Sequence, residues 1–199
     1  MQPFTRLTSH AVVLLRDDVD TDQIIPARFL TTTSRAGLGR HLFADWRTTP
    51  PSGAPFDRDH PAHSGARILI VGRNFGCGSS REHAAWAIAG FGFRVVIARS
   101  FADIFRSNAL KNGLVPVALT DEDHASLLVA IGLNGECEIR VDLATMTVSA
   151  GAMSWDFTLP AFARRCLLDG VDELGFLLGA TPEIAAFEAR HPATIATTG

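Results

Sequence analysis

Between residues 66 and 119 the chain repeats one pattern: a short apolar run, a helical stretch, another apolar run. The runs are ARILIVG (66–72), FRVVIA (93–98) and LVPVAL (114–119). Each is apolar nearly throughout rather than alternating, which is how strands buried on both faces read. A glycine-rich loop and a helix over about residues 80–90 join the first run to the second. FADIFRSNALKNG (101–113), a helix closed by Gly113, joins the second to the third. Strands joined through helices lie parallel. The stretch therefore predicts an α/β fold with a parallel sheet covered by helices.

The flanking segments add to this frame. HAVVLL (10–15) predicts a further strand, followed by the acidic turn DDVDTD. IIPARFL (24–30) is apolar around Pro26 and makes a poor central strand. Residues 47–66 hold four prolines and predict a flexible connection. DEDHASLLVAIGL (121–133) has helical periodicity, whereas CEIRVDL, TMTVSA and SWDFTL alternate and predict an antiparallel meander. PAFARRCLLDG (160–170) begins with Pro, ends with Gly and reads as a helix. TPEIAAFEARH (181–191) reads as another, with Thr181 as N-cap and Pro182 at its first position. The tail 192–199 is expected to fray. One domain over 1–199 accounts for the whole pattern.

Composition narrows the function classes. With 199 residues, 47% hydrophobic and 20% charged, the chain can bury a core without staples. A net charge of −3 gives no basic surface for nucleic acid or an anionic membrane. The apolar run Ala11 to Leu15 is too short to span a bilayer or serve as a secretion signal, so a cytosolic protein is expected. Cys77, Cys137 and Cys166 include no C-x-x-C pair, and close spacing draws neither a zinc site nor a complete iron–sulfur site.

The densest chemistry lies in NFGCGSSREHAAW (74–86), at a helix entrance. Ser79-x-x-Glu82 has the form of a capping box, and capping alone is one reading of it. The other reading is a site for an anion. The helix dipole is positive there, yet Arg81 adds a cation where a helix does not favour one. Gly72, Gly76 and Gly78 would allow close backbone approach. The segment lacks the Lys of a phosphate-binding loop and the third Gly of a dinucleotide loop, so a carboxylate is the better guess. Cys77 is open to a reading as a nucleophile with a lowered pKa, or as a small residue required between two glycines.

Other candidates are less defined. Asp17, Asp18, Asp20 and Asp22 resemble a calcium loop, but Gln23 and Phe29 stand where that loop needs Gly and Glu. Asp22 is either solvated or, lying against Ile24-Ile25-Pro26, partly buried and paired. Arg35 is a loop arginine that would serve as a second anion contact or be simply solvated. His60, His63 and His83 form no metal pattern.

Four segments in order carry a resemblance: DDVDTDQIIPARFL (17–30), NFGCGSSREHAAWAI (74–88), VVIARSFADIFRSNALKNGLVPV (95–117) and RRCLLDGVDELG (164–175). Together they resemble the small subunits of 3-isopropylmalate dehydratases, which are similar to the swivelling C-terminal domain of aconitase. The resemblance implies a three-layer β/β/α swivel domain. It implies a hydro-lyase that isomerises 2-isopropylmalate to 3-isopropylmalate by dehydration and rehydration, active only with a large subunit. The [4Fe–4S] cluster would be carried by that large subunit, and no metal by this chain. Ser79 falls on the family's serine base and Arg81 on the arginine that grips a substrate carboxylate. Ser80 would lend an N–H, and Asp22 matches the aspartate near the site. Arg35 falls near the second substrate arginine, through a loop of variable length. The loop from Phe29 to Gly39, with Thr31, Thr32, Thr33 and Leu38, would read the isopropyl group. Cys77 is an ordinary member of the motif, which removes most of the case for a nucleophile. Without the partner, Ser79 is expected to face solvent. The rivals are a related hydro-lyase acting on homoaconitate, citramalate or dimethylmalate, a stand-alone dicarboxylate-binding module, and a cysteine hydrolase using Cys77.

Overall fold

The computed structural model describes residues 1–31, 34–48, 65–132 and 137–191. Two four-stranded sheets stack face to face. The first is antiparallel, in the order β1 (Arg6–Ser9), β6 (Ile139–Asp142), β7 (Thr147–Ala150), β8 (Met153–Asp156). The second is parallel, in the order β2 (Ala11–Leu14), β3 (Ile68–Val71), β4 (Val95–Ala98), β5 (Val115–Ala118). Its register sets Ala11 beside Ile68, Ile68 beside Val95, and Val95 beside Val115.

The unbroken apolar strands explain the layering. Neighbouring side chains of a strand point to opposite faces. Ile68 and Ile70, with Val95, Ile97, Val115 and Val117, face the antiparallel sheet and meet Ile139, Val141, Val148 and Trp155. Leu69 and Val71, with Val96 and Ala98, face the other way into a core with Ala84, Ala85 and Ile88 of α3 (Glu82–Phe91) and Phe105 of α4 (Asp103–Lys111). The result is the expected β/β/α sandwich. In the outer sheet one face is wet, and β6 accordingly alternates buried Ile139 and Val141 with exposed Arg140 and half-buried Asp142.

The expected helices and meander are present, with shifts at their ends. Part of the expected acidic turn is helical, as α1 (Thr21–Ile24); the short α2 (Ala44–Thr48) was also not anticipated. The α5 helix (Asp121–Ile131) is capped by Thr120, whose hydroxyl accepts from Asp123 N–H at 3.1 Å. The α6 helix is Ala161–Asp169, and α7 (Glu173–Gly179) was not anticipated. In α8 (Thr181–Arg190) the N-cap is Ala180, not Thr181. The Thr181 hydroxyl donates instead to the Leu178 carbonyl at 2.7 Å, so it closes α7 rather than opening α8. Residues 49–64 of the expected connection, residue 133 and the tail 192–199 lie outside the described residues.

One buried polar side chain ties α5 to the parallel sheet. His124 of α5 is 1% exposed, and its Nε2–H donates to the Val71 carbonyl at 2.8 Å. Burial pushes its pKa below the ordinary imidazole value, partly offset by that bond. The unfolded chain therefore binds the proton more readily, and neutral His124 stabilises the fold above about pH 6.5. That contribution is lost as pH falls from there through the folded-state pKa. Thermal melts between pH 8 and 5 are expected to show Tm falling on the acid side, with a shallower fall for His124→Gln, which keeps a donor but cannot titrate. An unchanged slope in that variant would contradict this assignment.

Candidate active site

Past their carboxyl ends, β2, β3 and β4 continue side by side as irregular chain, and this is where open parallel sheets place their sites. Residues 16–21 and 72–77 are zipped together. Gly72 N–H donates to Arg16 O at 3.0 Å, Asp18 N–H to Arg73 O at 2.9 Å, Gly76 N–H to Val19 O at 2.8 Å, and Thr21 N–H to Cys77 O at 2.9 Å. On the other side Phe75 bridges Phe101, with Phe75 N–H on Ser100 O and Ala102 N–H on Phe75 O. Asp18 and Asn74 both have positive φ, a region Asn and Asp tolerate, and Asn74 Nδ2 donates to Asp18 Oδ1 at 2.8 Å.

The glycines serve this zipper rather than a ligand. A Cβ on Gly76 would lie 2.2 Å from Phe105 Cγ, and its φ is +78°. A Cβ on Gly72 would lie 2.2 Å from Asp17 Oδ1. Both positions need a missing side chain because their own chain presses on them. Gly78 is the looser of the three, with φ +87° and its nearest neighbour at 3.4 Å.

The capping box expected at Ser79 is not formed. The α3 helix begins at Glu82, its N-cap is Arg81, and Arg81 makes no side-chain cap. Ser79 is two residues too early to reach the first turn. Glu82 turns instead to Asn112, accepting from Nδ2 at 3.1 Å. Ser79 is exposed, and its carbonyl accepts from Thr21 Oγ1 at 3.0 Å. Ser80 beside it is also exposed. A real capping box lies in α1, where Asp20 accepts from Gln23 N–H at 2.7 Å and Gln23 Oε1 accepts from Asp20 N–H at 3.0 Å.

That cap aims the next residue but one. Asp22 on α1 pairs with the Arg81 guanidinium, so two separately expected residues meet. The Asp22 side chain is 49% exposed, and ion pairs so wet contribute only about 0–1 kcal/mol. The contact matters for position. It holds one corner of a five-donor fork and leaves the other N–H groups for a planar carboxylate. Exposed Ser79 and Ser80 and half-buried Arg81 thus form one strip before α3, braced from beneath by Asp20, Thr21 and Asp22. Sequence reasoning missed Asp20 and Thr21; the signal was Asp20-x-x-Gln23, read as part of an acidic run.

The chain matches the aconitase C-terminal domain family over residues 1–122. It is 54% identical to the 3-isopropylmalate dehydratase small subunit of Anaeromyxobacter dehalogenans, over 94% of this chain and 98% of that one. Against the small subunit of Chloroflexus aurantiacus it is 48% identical over 99% and 100%. A crystal structure of 3-isopropylmalate dehydratase from Methanocaldococcus jannaschii superposes with a TM-score of 0.68 at 28% identity, covering 92% of this chain and 99% of that one. The chain belongs to the 3-isopropylmalate dehydratase small-subunit family. Its two stacked sheets and helical layer are the β/β/α swivel fold that membership carries.

Other residues expected at the site of a 3-isopropylmalate dehydratase small subunit are dispersed. Leu38 is 3% exposed and belongs to the helix-side core, so it packs rather than faces a ligand. Its 3₁₀ turn (Leu38–His41) lies on α3 where Gly39 meets Gly90; a Cβ on Gly39 would lie 2.1 Å from the Gly90 carbonyl carbon. Thr31 is exposed, while Thr32 and Thr33 lie outside the described residues. Arg35 stacks on Trp86 at 5.2 Å and lines a cleft near the far end of α3, not the Ser79–Arg81 strip. Cys77 is not activated: burial, then the Asp20 and Asp18 charges, push its thiol pKa up. Among the described residues no group of three or more His, Cys, Asp and Glu is placed to hold a metal ion. The three cysteines sit in different settings, Cys77 half-buried, Cys137 exposed and Cys166 buried, and do not fit as ligands of one cluster.

Proposed function

We propose that the chain is the small subunit of a two-chain hydro-lyase that isomerises 2-isopropylmalate to 3-isopropylmalate, in leucine biosynthesis in the cytoplasm. The observation that carries the reading is the Ser79–Ser80–Arg81 strip, with both serines exposed and Arg81 held by Asp22, in a chain 54% identical to such a subunit. The chain acts as one swivel domain over residues 1–199. A large subunit completes the site and holds a [4Fe–4S] cluster, which supplies a Lewis acid for the substrate hydroxyl.

This chain supplies the base and the grip. Arg81 binds one carboxylate of the substrate through the N–H groups Asp22 leaves open. Ser79, as an alkoxide, takes the proton from the carbon bearing no hydroxyl while the neighbouring carbon loses hydroxide, giving the alkene. Readdition with the two positions exchanged gives the isomer, the proton returning from Ser79. The Arg81 charge favours the anionic serine, and the Ser80 N–H adds a donor. In this reading Arg35 meets the second carboxylate, which requires its loop to leave Trp86. Thr31, Thr32 and Thr33 of that loop flank the isopropyl group. The exposed apolar side chains of α7 and α8, among them Leu174, Leu177, Leu178 and Phe187, suit a face covered on assembly.

Substrate preference tests the reading. The reconstituted pair is expected to favour 2-isopropylmalate over homoaconitate by about 100-fold or more in kcat/KM, since an apolar pocket rejects a charged end. Equal turnover of the two would assign the chain to a related hydro-lyase.

A further inference from the structure

At the opposite end of the parallel sheet from Ser79, a cleft of about 330 Å³ opens between the starts of β3 and β4 and the ends of α3 and α4. Arg67, just before β3, and Arg94, just before β4, line it together with Arg35. No Asp or Glu is among its described lining residues. Three exposed arginines elsewhere do meet a carboxylate: Arg28 with Asp45, Arg73 with Asp121, Arg165 with Asp169. In a chain of net charge −3, a cleft that gathers three arginines with no carboxylate among its described lining is unusual.

The Arg94 guanidinium is held in place on the cleft wall. It donates to the side chain and carbonyl of Gln2, but its Nε is buried with no hydrogen-bond partner. Arg106 Nε is orphaned in the same way, and the Arg94 guanidinium also lies 5.7 Å from the Phe4 ring, so what marks the cleft is the gathering of arginines along its lining. Burial, and secondarily the charge of Arg67, hold the Arg94 pKa below its ordinary value, which places the two cations within each other's field. Around them the cleft is firm: Trp86 Nε1 donates to Asn112 Oδ1 at 2.9 Å, and Arg35 lies on the Trp86 ring.

We infer that this cleft is a second binding site, for a small dianion carrying carboxylate or phosphate groups, held by Arg35, Arg67 and Arg94. Planar guanidinium forks match both oxyanions, and the volume accommodates a ligand of a few carbons. Because Arg35 sits on the same loop as Thr31, an occupied cleft tethers that loop to the far end of α3. Arg67 and Arg94 stand apart from the Ser79–Arg81 strip, whereas Arg35 is shared with the proposed substrate reading and serves one ligand at a time.

Titrating the full chain with succinate, and separately with inorganic phosphate, at constant ionic strength set by sodium chloride, tests the site through amide chemical shifts. At least one anion is expected to shift Gly92 and Gly113 saturably; which one does so identifies carboxylate or phosphate as the ligand. Arg67→Gln should weaken binding at least 10-fold and Arg35→Gln at least 3-fold, while Arg81→Gln leaves it unchanged. Shifts that follow ionic strength only would overturn the site, as would shifts centred on Ser79 and Arg81 or binding unaltered in both cleft variants.

Discussion

Ser79→Ala, in the complex with the large subunit, is expected to lower kcat by about 10²–10⁴-fold, the range general-base groups contribute. Folding and assembly should be untouched. Ser79 makes no cap, so the usual penalty of about 1 kcal/mol for losing one does not arise. Its bond to Thr21 runs through the carbonyl, which alanine retains. An exposed side chain with no such role costs within about 0.5 kcal/mol. The loss should fall on kcat with KM little changed, because Arg81 still holds the substrate. Ser80→Ala, which keeps its N–H, should be close to wild type by comparison. Wild-type turnover in Ser79→Ala would remove the base from this chain.

The parallel sheet was legible because β3, β4 and β5 are apolar throughout and are separated by helices with clear ends. β1 was not. Its residues RLTS carry no alternation, and only His10 divides it from β2, although the two strands join different sheets. A switch of sheet within one residue is set by tertiary packing and leaves no local signal. At the site, Asp22 and Arg81 were readable as chemistry, and the fold then joined them. The capping box was misplaced because Ser79-x-x-Glu82 and Asp20-x-x-Gln23 both suit the pattern, and only where the helix starts decides which one forms. Arg35 could not be placed from sequence, since a loop arginine near an aromatic helix face has several partners at similar cost. Leu38 was legible as apolar, but whether it met core or ligand depended on Gly39 packing against Gly90.

The strip before α3 offers an exposed serine beside a half-buried cation, and no group of metal-ligating side chains among the described residues stands by to bind a substrate hydroxyl. Half a site of this kind predicts an all-or-none dependence on the partner. The direct measurement is isomerisation of 2-isopropylmalate by the purified chain alone, and then with increasing amounts of a cluster-bearing large subunit. The expected result is no detectable turnover from the chain by itself, and activity that rises with the partner and saturates at one-to-one. Turnover by this chain alone, in the absence of iron, would contradict the account.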